Sequence, residues 1–385
     1  MMKIVIAIDS FKGSCSAKEA CDAIAAGILN YDSTFNVTKL PIADGGEGLI
    51  DILLDNPELS NNSCYHQLTV CGPYNKPVQA GYLVLNQQTV IIEMAQACGL
   101  ELTPKSDRNV LHATSYGLGE LVNAVLDKGY RHIIIGLGGS ATNDGGMGFA
   151  QALGVKFYDN NQQIISSPAT GKDLARVAAM DITGIHPAIS QTHFEASCDV
   201  SNPLLGENGA TYVYGPQKGA TAATLEQLEQ GMAQYSTVVS NKLGDTTPLL
   251  PGTGAAGGMG AALLWYAQAK LKPGIKLVLT LVEASKYISD SDLVITGEGR
   301  LDRQSSFGKA PVGVANLAAQ YGKPTVAIAG SIGNGAHELY QHNIQAMWSI
   351  CPGPIDLDDA MKNAKQYLTA TAESLIRTIN IGKQI

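Results

Sequence analysis

The sequence predicts an α/β protein, a mostly parallel sheet domain with a second α/β domain inserted in it. Short apolar runs near both ends of the chain are each followed by a glycine-rich polar loop and then a helical pattern, the order that builds parallel sheets. From Tyr65 to Met94 the pattern changes to alternating apolar residues in three runs, broken by Gly72-Pro73 and Asn86-Gln87, which describes an antiparallel meander and a boundary near residues 65 to 75. The 385 residues suit two domains of roughly 150 to 200 residues each. The expected division is 1–68 plus 288–385 for the outer domain and 69–287 for the insertion.

The outer domain opens on Lys3 to Ile8, a buried strand, and then the loop Asp9-Ser10-Phe11-Lys12-Gly13-Ser14. Ser16 and Glu19 form a capping box that starts a helix with Ala20, Ile24 and Ile28 on one face. Val37 to Ile42 predicts a second strand, ending at Asp44-Gly45-Gly46-Glu47-Gly48 before a helix over Leu49 to Leu54. After the meander, Ser115 to Lys128 reads as a helix leading into the strand Ile133 to Ile135. Thr221 caps an amphipathic helix to Asn241, and a further helix is expected from Ala261 to Lys270. Strands return at Leu293 to Thr296, Thr325 to Ala329 and Ala346 to Ile350, and a last helix spans about Asp358 to Arg377.

Composition excludes several classes of function. A net charge of −8 without any block of Lys and Arg argues against a nucleic-acid or anionic-membrane surface, and no apolar run approaches the length of a membrane span. Seven cysteines without a C-x-x-C pair point to reduced thiols and a cytoplasmic setting. His112 and His132 read as surface or core histidines, because no second histidine stands at metal-binding spacing.

The chemistry gathers in the loops. Gly138-Gly139-Ser140-Ala-Thr142-Asn143-Asp144-Gly145-Gly146 lies between a strand and a helix start, where glycine lets amides approach a ligand and the helix terminus favours an anion. The pattern D-G-G-x-G recurs at Asp44 and Asp144, and either aspartate has an N-cap as its structural alternative. Glu47 beside Asp44 fits a site that also holds a cation. Asp199, just after a short apolar strand, is a candidate base or metal ligand. Gly252-x-Gly254-x-x-Gly257 formally matches a dinucleotide fingerprint, but Pro248 and Pro251 stand where its strand should be. No G-x-x-x-x-G-K-[ST] occurs either, so any nucleotide binds without a P-loop. Carboxylates, a few cations and many free amides suit phosphoryl transfer, in which catalysis is mostly positioning and charge stabilisation.

Taken together, Asp9-Ser-Phe-Lys12-Gly, Ala43-Asp-Gly-Gly-Glu-Gly48, Gly138-Gly-Ser-Ala-Thr-Asn-Asp-Gly-Gly146, Cys198-Asp-Val-x-Asn-Pro203, Gly252-Thr-Gly-Ala-Ala-Gly-Gly258 and Ile295-Thr-Gly-Glu-Gly-Arg-Leu-Asp302 resemble the bacterial type I glycerate kinases. The resemblance spans essentially the whole chain and keeps the motif order. It implies a Rossmann-like domain with an inserted α/β domain and the site between them. It also implies a kinase of D-glycerate using ATP and Mg²⁺, with 2-phosphoglycerate as product in glyoxylate, glycolate or glucarate use. The alternatives are a glycerate 3-kinase, a kinase of another small hydroxy acid, and a non-catalytic phosphometabolite sensor.

Under this reading Gly138, Gly139, Ser140, Gly257, Gly258 and Met259 contact the nucleotide. Ser10, Lys12, Arg300 and Asp302 serve glycerate. Asp199 orients the reacting hydroxyl and Asp44 serves the metal side, with the reverse assignment nearly as well supported; Lys12 joins them as a catalytic candidate. Asp302 stands beside Arg300 and Arg303, so a structural ion pair is its alternative. The expected partners are ATP and D-glycerate, with no nucleic acid or membrane, and a homodimer is compatible with the resemblance.

Overall fold

The computed structural model describes residues 2–46, 48–244, 247–306 and 309–382, with 57 and 58 by backbone alone. Glu47, the expected partner of a cation, lies outside the described residues. The chain divides into two compact units, one of Met1–Asp44, Asp51–Ser60 and Pro273–Ile385, the other of Gly45–Ile50 and Asn61–Lys272. Its strands in chain order are β1 (Lys3–Ile8), β2 (Asn36–Lys39), β3 (Ser63–Cys71), β4 (Pro77–Leu85), β5 (Thr89–Glu93), β6 (His132–Gly136), β7 (Lys156–Tyr158), β8 (Ala179–Asp181), β9 (His193–Ser197), β10 (Lys270–Lys272), β11 (Leu293–Leu301), β12 (Thr325–Ile332) and β13 (Ala346–Ser349).

The first unit is built on a parallel sheet of order β13-β12-β11-β1-β2. Every residue of β1 after Lys3 is buried, as expected of a strand covered on both faces. The helix Ala17–Tyr31 starts at the predicted capping box, in which Ser16 Oγ accepts from Glu19 N at 3.2 Å and the Glu19 carboxylate accepts from Ser16 N at 3.0 Å. Its buried Ala20, Ile24 and Ile28 share a core with Leu368, Ala372 and Leu375 of the last helix, Ala364–Gly382. At Gly27 the two helices meet so closely that a Cβ would run into the carbonyl oxygen of Thr369.

Three expectations for this unit shift in detail. Regular pairing of β2 stops at Lys39, yet Leu40 N donates to Ile6 O at 2.8 Å and Ile42 N to Ile8 O at 3.1 Å, so the chain still runs beside β1 to Ile42. β11 continues through Gly297–Arg300, expected as loop, because β12 offers partners as far as the pair Leu301 and Ile332. The final helix is two helices, Leu357–Lys362 and Ala364–Gly382, separated at Asn363, whose side chain binds back to Asp359 O at 3.1 Å and Oδ1 at 2.9 Å.

The second unit carries a mixed sheet of order β10-β9-β6-β5-β4-β3, together with the small antiparallel pair β7-β8. β3, β4 and β5 are the antiparallel meander, while β5, β6, β9 and β10 run parallel. Leu118, Leu121, Val122 and Val125 of the helix Tyr116–Asp127 join Ile133 and Ile135 of β6 in the core. The helix expected to end at Lys270 spans Ala255–Ala267 and is regular only after Gly258, since Ala256, Gly257 and Gly258 have positive φ. Gln268 then takes a left-handed turn, and Lys270 becomes the first residue of β10 by pairing with Glu195. All seven cysteines are free. Among the described residues no helix is long and apolar enough to cross a membrane.

Gly27→Val tests the helix contact. Overpacking against the Thr369 carbonyl lowers the unfolding free energy by about 3 kcal/mol, read from urea denaturation; unchanged stability would mean that the helices can separate freely.

Candidate active site

In the first unit the polar loops collect at the carboxyl edge of the sheet, the end at which open α/β sheets bind ligands. Asp9 follows β1 and prolongs its ladder, donating from its amide to Gly297 O at 3.0 Å. Its half-buried carboxylate accepts from Ser10 N at 2.5 Å. Burial pushes this carboxyl up to about 7, and the negative charges of Asp44 and Glu298 push in the same direction. Glu298 is raised chiefly by burial as well, although Ser305 Oγ at 2.5 Å and Lys309 Nζ at 3.9 Å hold its carboxylate. Asp44 itself is exposed. The unit thus brings three acids, Asp9, Asp44 and Glu298, into electrostatic contact.

Ser10 and Lys12 are exposed on a tight turn closed by reciprocal backbone bonds between Phe11 and Cys15, with Gly13 at φ +78°. The backbone of Lys12 lies against Gly299, next to Arg300 in the chain. Arg300 is mostly exposed and its Nε stands 3.1 Å from Asp302 Oδ2. The structural alternative for Asp302 is therefore present: it pairs with Arg300, and its Oδ1 accepts from Gln304 N at 2.8 Å to cap a short turn.

In the second unit the loop after β6 is woven into its surroundings. Leu100 N donates to Gly139 O at 2.7 Å, Ala141 N to Cys98 O at 2.8 Å, and Gly145 N to Gly257 O at 3.1 Å. Gly257 and Gly258 are buried, and a Cβ on either would collide with Thr142 or Gly145, so these glycines allow two loops to interlock. Met259 is wholly buried, Gly138 is half-buried and Gly139 is exposed. Asp199 follows β9 in a segment tied down through Asn202, whose Oδ1 accepts from Tyr214 Oη at 2.7 Å and whose carbonyl accepts from Gly254 N at 2.9 Å.

The helix Met147–Ala152 does not offer an anion site at its start. The buried Asp144 carboxylate accepts from Gly146 N at 3.1 Å, Gly148 N at 3.3 Å, Ser115 N at 2.8 Å and Ser115 Oγ at 2.8 Å. Phe149 N donates to Ser115 Oγ at 2.9 Å and Met147 N to Asp144 O at 2.9 Å, so the first-turn amides are all engaged. The Asp144 carboxylate is thus engaged with the amides that open this helix.

Lys218 ends the short turn Pro216–Lys218, ahead of the helix capped by Thr221. It is 2 % exposed, and its Nζ donates to Ser140 Oγ at 2.9 Å and to Thr142 O at 2.6 Å. Burial lowers its pKa to about 7, partly opposed by the Asp144 charge. Sequence reasoning missed Lys218, because its partners stand 76 and 78 residues away. It also gave no role to Asp9 or Glu298, although Asp9 ends a buried strand and Glu298 sits between two glycines, as candidates for a strand-end site would.

A two-unit α/β protein with carboxylates, exposed cations and glycine-rich loops at the carboxyl ends of parallel strands belongs among the small-molecule kinases. The model of the glycerate kinase family matches residues 4–380, and the chain belongs to that family. It is 45% identical over 383 residues to a glycerate kinase of Bacillus subtilis (strain 168), covering 99% of each chain. With a glycerate 2-kinase of Escherichia coli (strain K12) it shares 41% identity over 382 residues, covering 99% of each. A solved structure described as a candidate glycerate kinase 2 from Salmonella typhimurium LT2 superposes with a TM-score of 0.86 at 42% identity, covering 100% of both chains.

Two outcomes check this geometry. The folded Asp9 carboxyl holds its proton to about 7 whereas an unfolded aspartate releases it near 3.9, so stability falls as pH rises between those values. Asp9→Asn removes that loss: without divalent cations its thermal midpoint exceeds the wild type by roughly 2–6 °C at pH 8, and the gap closes towards pH 4. A gap independent of pH would deny the buried-acid account. Lys218→Ala leaves a cavity and strips Ser140 Oγ and Thr142 O of their donor, lowering stability by about 2–4 kcal/mol in urea unfolding.

Proposed function

We propose that the chain transfers the γ-phosphoryl group of ATP to the 2-hydroxyl of D-glycerate. The observation that carries the reading is the acid cluster of Asp9, Asp44 and Glu298 at one strand edge, beside the exposed cations Lys12 and Arg300. Cations suit the glycerate carboxylate, and acids suit a metal and the proton of a reacting hydroxyl. Family membership supports the substrate, and the Escherichia coli relative's name supports the 2-position.

In the transfer, the bond from the γ-phosphorus to the bridging oxygen breaks as the glycerate oxygen bonds to phosphorus. ADP leaves with the electron pair, and the hydroxyl proton passes to a carboxylate. We assign that carboxylate to Asp199, which in a loose transition state acts mainly by orienting the hydroxyl. Ser10, Lys12 and Arg300 bind the carboxylate of glycerate, and Asp302 holds Arg300 in place. Gly138 and Gly139 present amides to the nucleotide phosphates, with Ser140, Gly257, Gly258 and Met259 shaping that loop. The mutual repulsion of the acids fits Mg²⁺, with Asp44 as its protein ligand, since this ion takes one or two carboxylates and keeps its waters. Bound there, it would neutralise charge on the phosphates. We further propose the inserted arrangement of domains, a cytoplasmic setting, which the free cysteines support, and a homodimer that sedimentation would test.

A coupled ADP-release assay with D-glycerate, L-glycerate, glycolate and simple sugars tests the function, and NMR of the product distinguishes the 2- from the 3-phosphate. Absence of turnover with millimolar D-glycerate, from folded protein with Mg²⁺ and ATP, would reject it; turnover of a different acid would favour another hydroxy-acid kinase. Asp199→Ala and Asp44→Ala each reduce kcat about a hundredfold or more while the thermal midpoint stays near wild type. Lys12→Ala changes the glycerate KM or kcat at least about tenfold.

A further inference from the structure

The amino ends of β6 and β9 carry a second cluster. In the parallel register His132 pairs with His193, and Ile134 with Glu195. His193 and Glu195 are two residues apart on one strand and therefore share a face. The two imidazole centroids are 5.2 Å apart, Glu195 Oε1 lies 2.9 Å from His193 Nε2, and it lies 3.9 Å from His132 Nε2. Ligand atoms of all three residues fall within 4.8 Å of one another.

His132 holds the informative atom. Its Nδ1 is 3.0 Å from Thr89 Oγ1, whereas its Nε2 is buried and has no hydrogen-bond partner. With the proton on Nδ1 and donated to Thr89, the lone pair of Nε2 points into the cluster, an outer hydrogen bond of the kind that orients metal-bound histidines. A buried acceptor left unpaired costs free energy that a cation would recover. The cation now beside Glu195 is the Lys272 ammonium, 2.8 Å from Oε1 on a side chain that is 42% exposed and has solvent to move into.

We propose that His132, His193 and Glu195 form a site for one Zn²⁺ ion, with Lys272 as the competing occupant. Two imidazole nitrogens and one carboxylate oxygen are the donors of a borderline cation, whereas Mg²⁺ and Ca²⁺ prefer oxygen alone. Tetrahedral Zn²⁺ with bonds near 2.0–2.1 Å sets its ligand atoms about 3.4 Å apart. The two measured separations, 2.9 and 3.9 Å, bracket that value, so small side-chain rotations suffice. Water completes the fourth position. The ion would clip β6 to β9 at the end of the strands remote from the Gly138 loop, since the run from His132 to Gly136 spans about 13 Å. It therefore acts on stability, by binding the folded chain in preference to the unfolded one.

The test uses the full chain, stripped with EDTA, dialysed and titrated with ZnCl₂ against a chromophoric chelator. One equivalent binds with a Kd at or below about 1 μM, and the thermal midpoint rises with Zn²⁺ concentration. His132→Gln and His193→Gln each weaken binding at least about thirtyfold. Co²⁺ in place of Zn²⁺ gives visible bands of a nitrogen and oxygen site without thiolate charge transfer, which separates this cluster from the free cysteines. Two variants leave all three ligands in place should a histidine variant misfold: Thr89→Val weakens binding about tenfold, and Lys272→Met, by removing the competitor, tightens it. No binding at micromolar Zn²⁺, or binding untouched by the histidine substitutions or by both of these variants, would overturn the proposal.

Discussion

The buried carboxylate of Asp144 is the constraint on which the loops of the second unit depend. It accepts four hydrogen bonds from Ser115, Gly146 and Gly148, which fixes how the chain leaves β6 and enters the next helix. A buried acid is costly unless its oxygens are satisfied and a cation is near, and Lys218 supplies part of that compensation. The lysine in turn holds Ser140 and Thr142, so acid, lysine and loop stand or fall together. Gly257 and Gly258 then pack into the small gap left beside Thr142 and Gly145. The glycines of this region serve first to let backbone meet backbone, while Gly138 stays half-buried and Gly139 exposed.

In the first unit the ordering element is β1, paired in parallel with β2 on one side and β11 on the other. Parallel register makes the carboxyl ends of neighbouring strands coincide, which is why residues 9, 44 and 298 meet although they are distant in the chain. Their repulsion is kept by the fold: the charges of Asp44 and Glu298 add to burial in raising Asp9, and Asp44 adds to burial in raising Glu298, which Lys309 offsets only in part. Stability is thereby surrendered at neutral pH, a pattern common at functional sites.

Much of the fold was legible because its signals are local. β-branched runs at Lys3–Ile8 and Ile133–Ile135, the capping box at Ser16 and Glu19, and the alternation between Tyr65 and Met94 each depend on residues a few positions apart. Errors arose where a partner strand decided the outcome. Gly297–Arg300 has the composition of a loop yet is strand because β12 pairs with it, and Lys270 belongs to β10, not to the preceding helix, because β9 offers an open edge. The last helix, expected as one from about Asp358 to Arg377, is broken at Asn363, whose side chain binds back to Asp359.

By itself the sequence determined the fold class, the order of the elements and the residues of each motif, because period, capping and turn chemistry are short-range and survive in a linear reading. The resemblance carried by those motifs led to the family, which comparison then established. Tertiary structure alone decided how differently two similar aspartates are exposed. Asp144 lies sealed beneath amides from Ser115, Gly146 and Gly148, while Asp44 stays exposed at a strand end. It also decided that Lys218 reaches Ser140 and that His132 faces His193. Such facts depend on register and burial, which set the dielectric and the neighbours of each group, and neither is written in the identity of the residue.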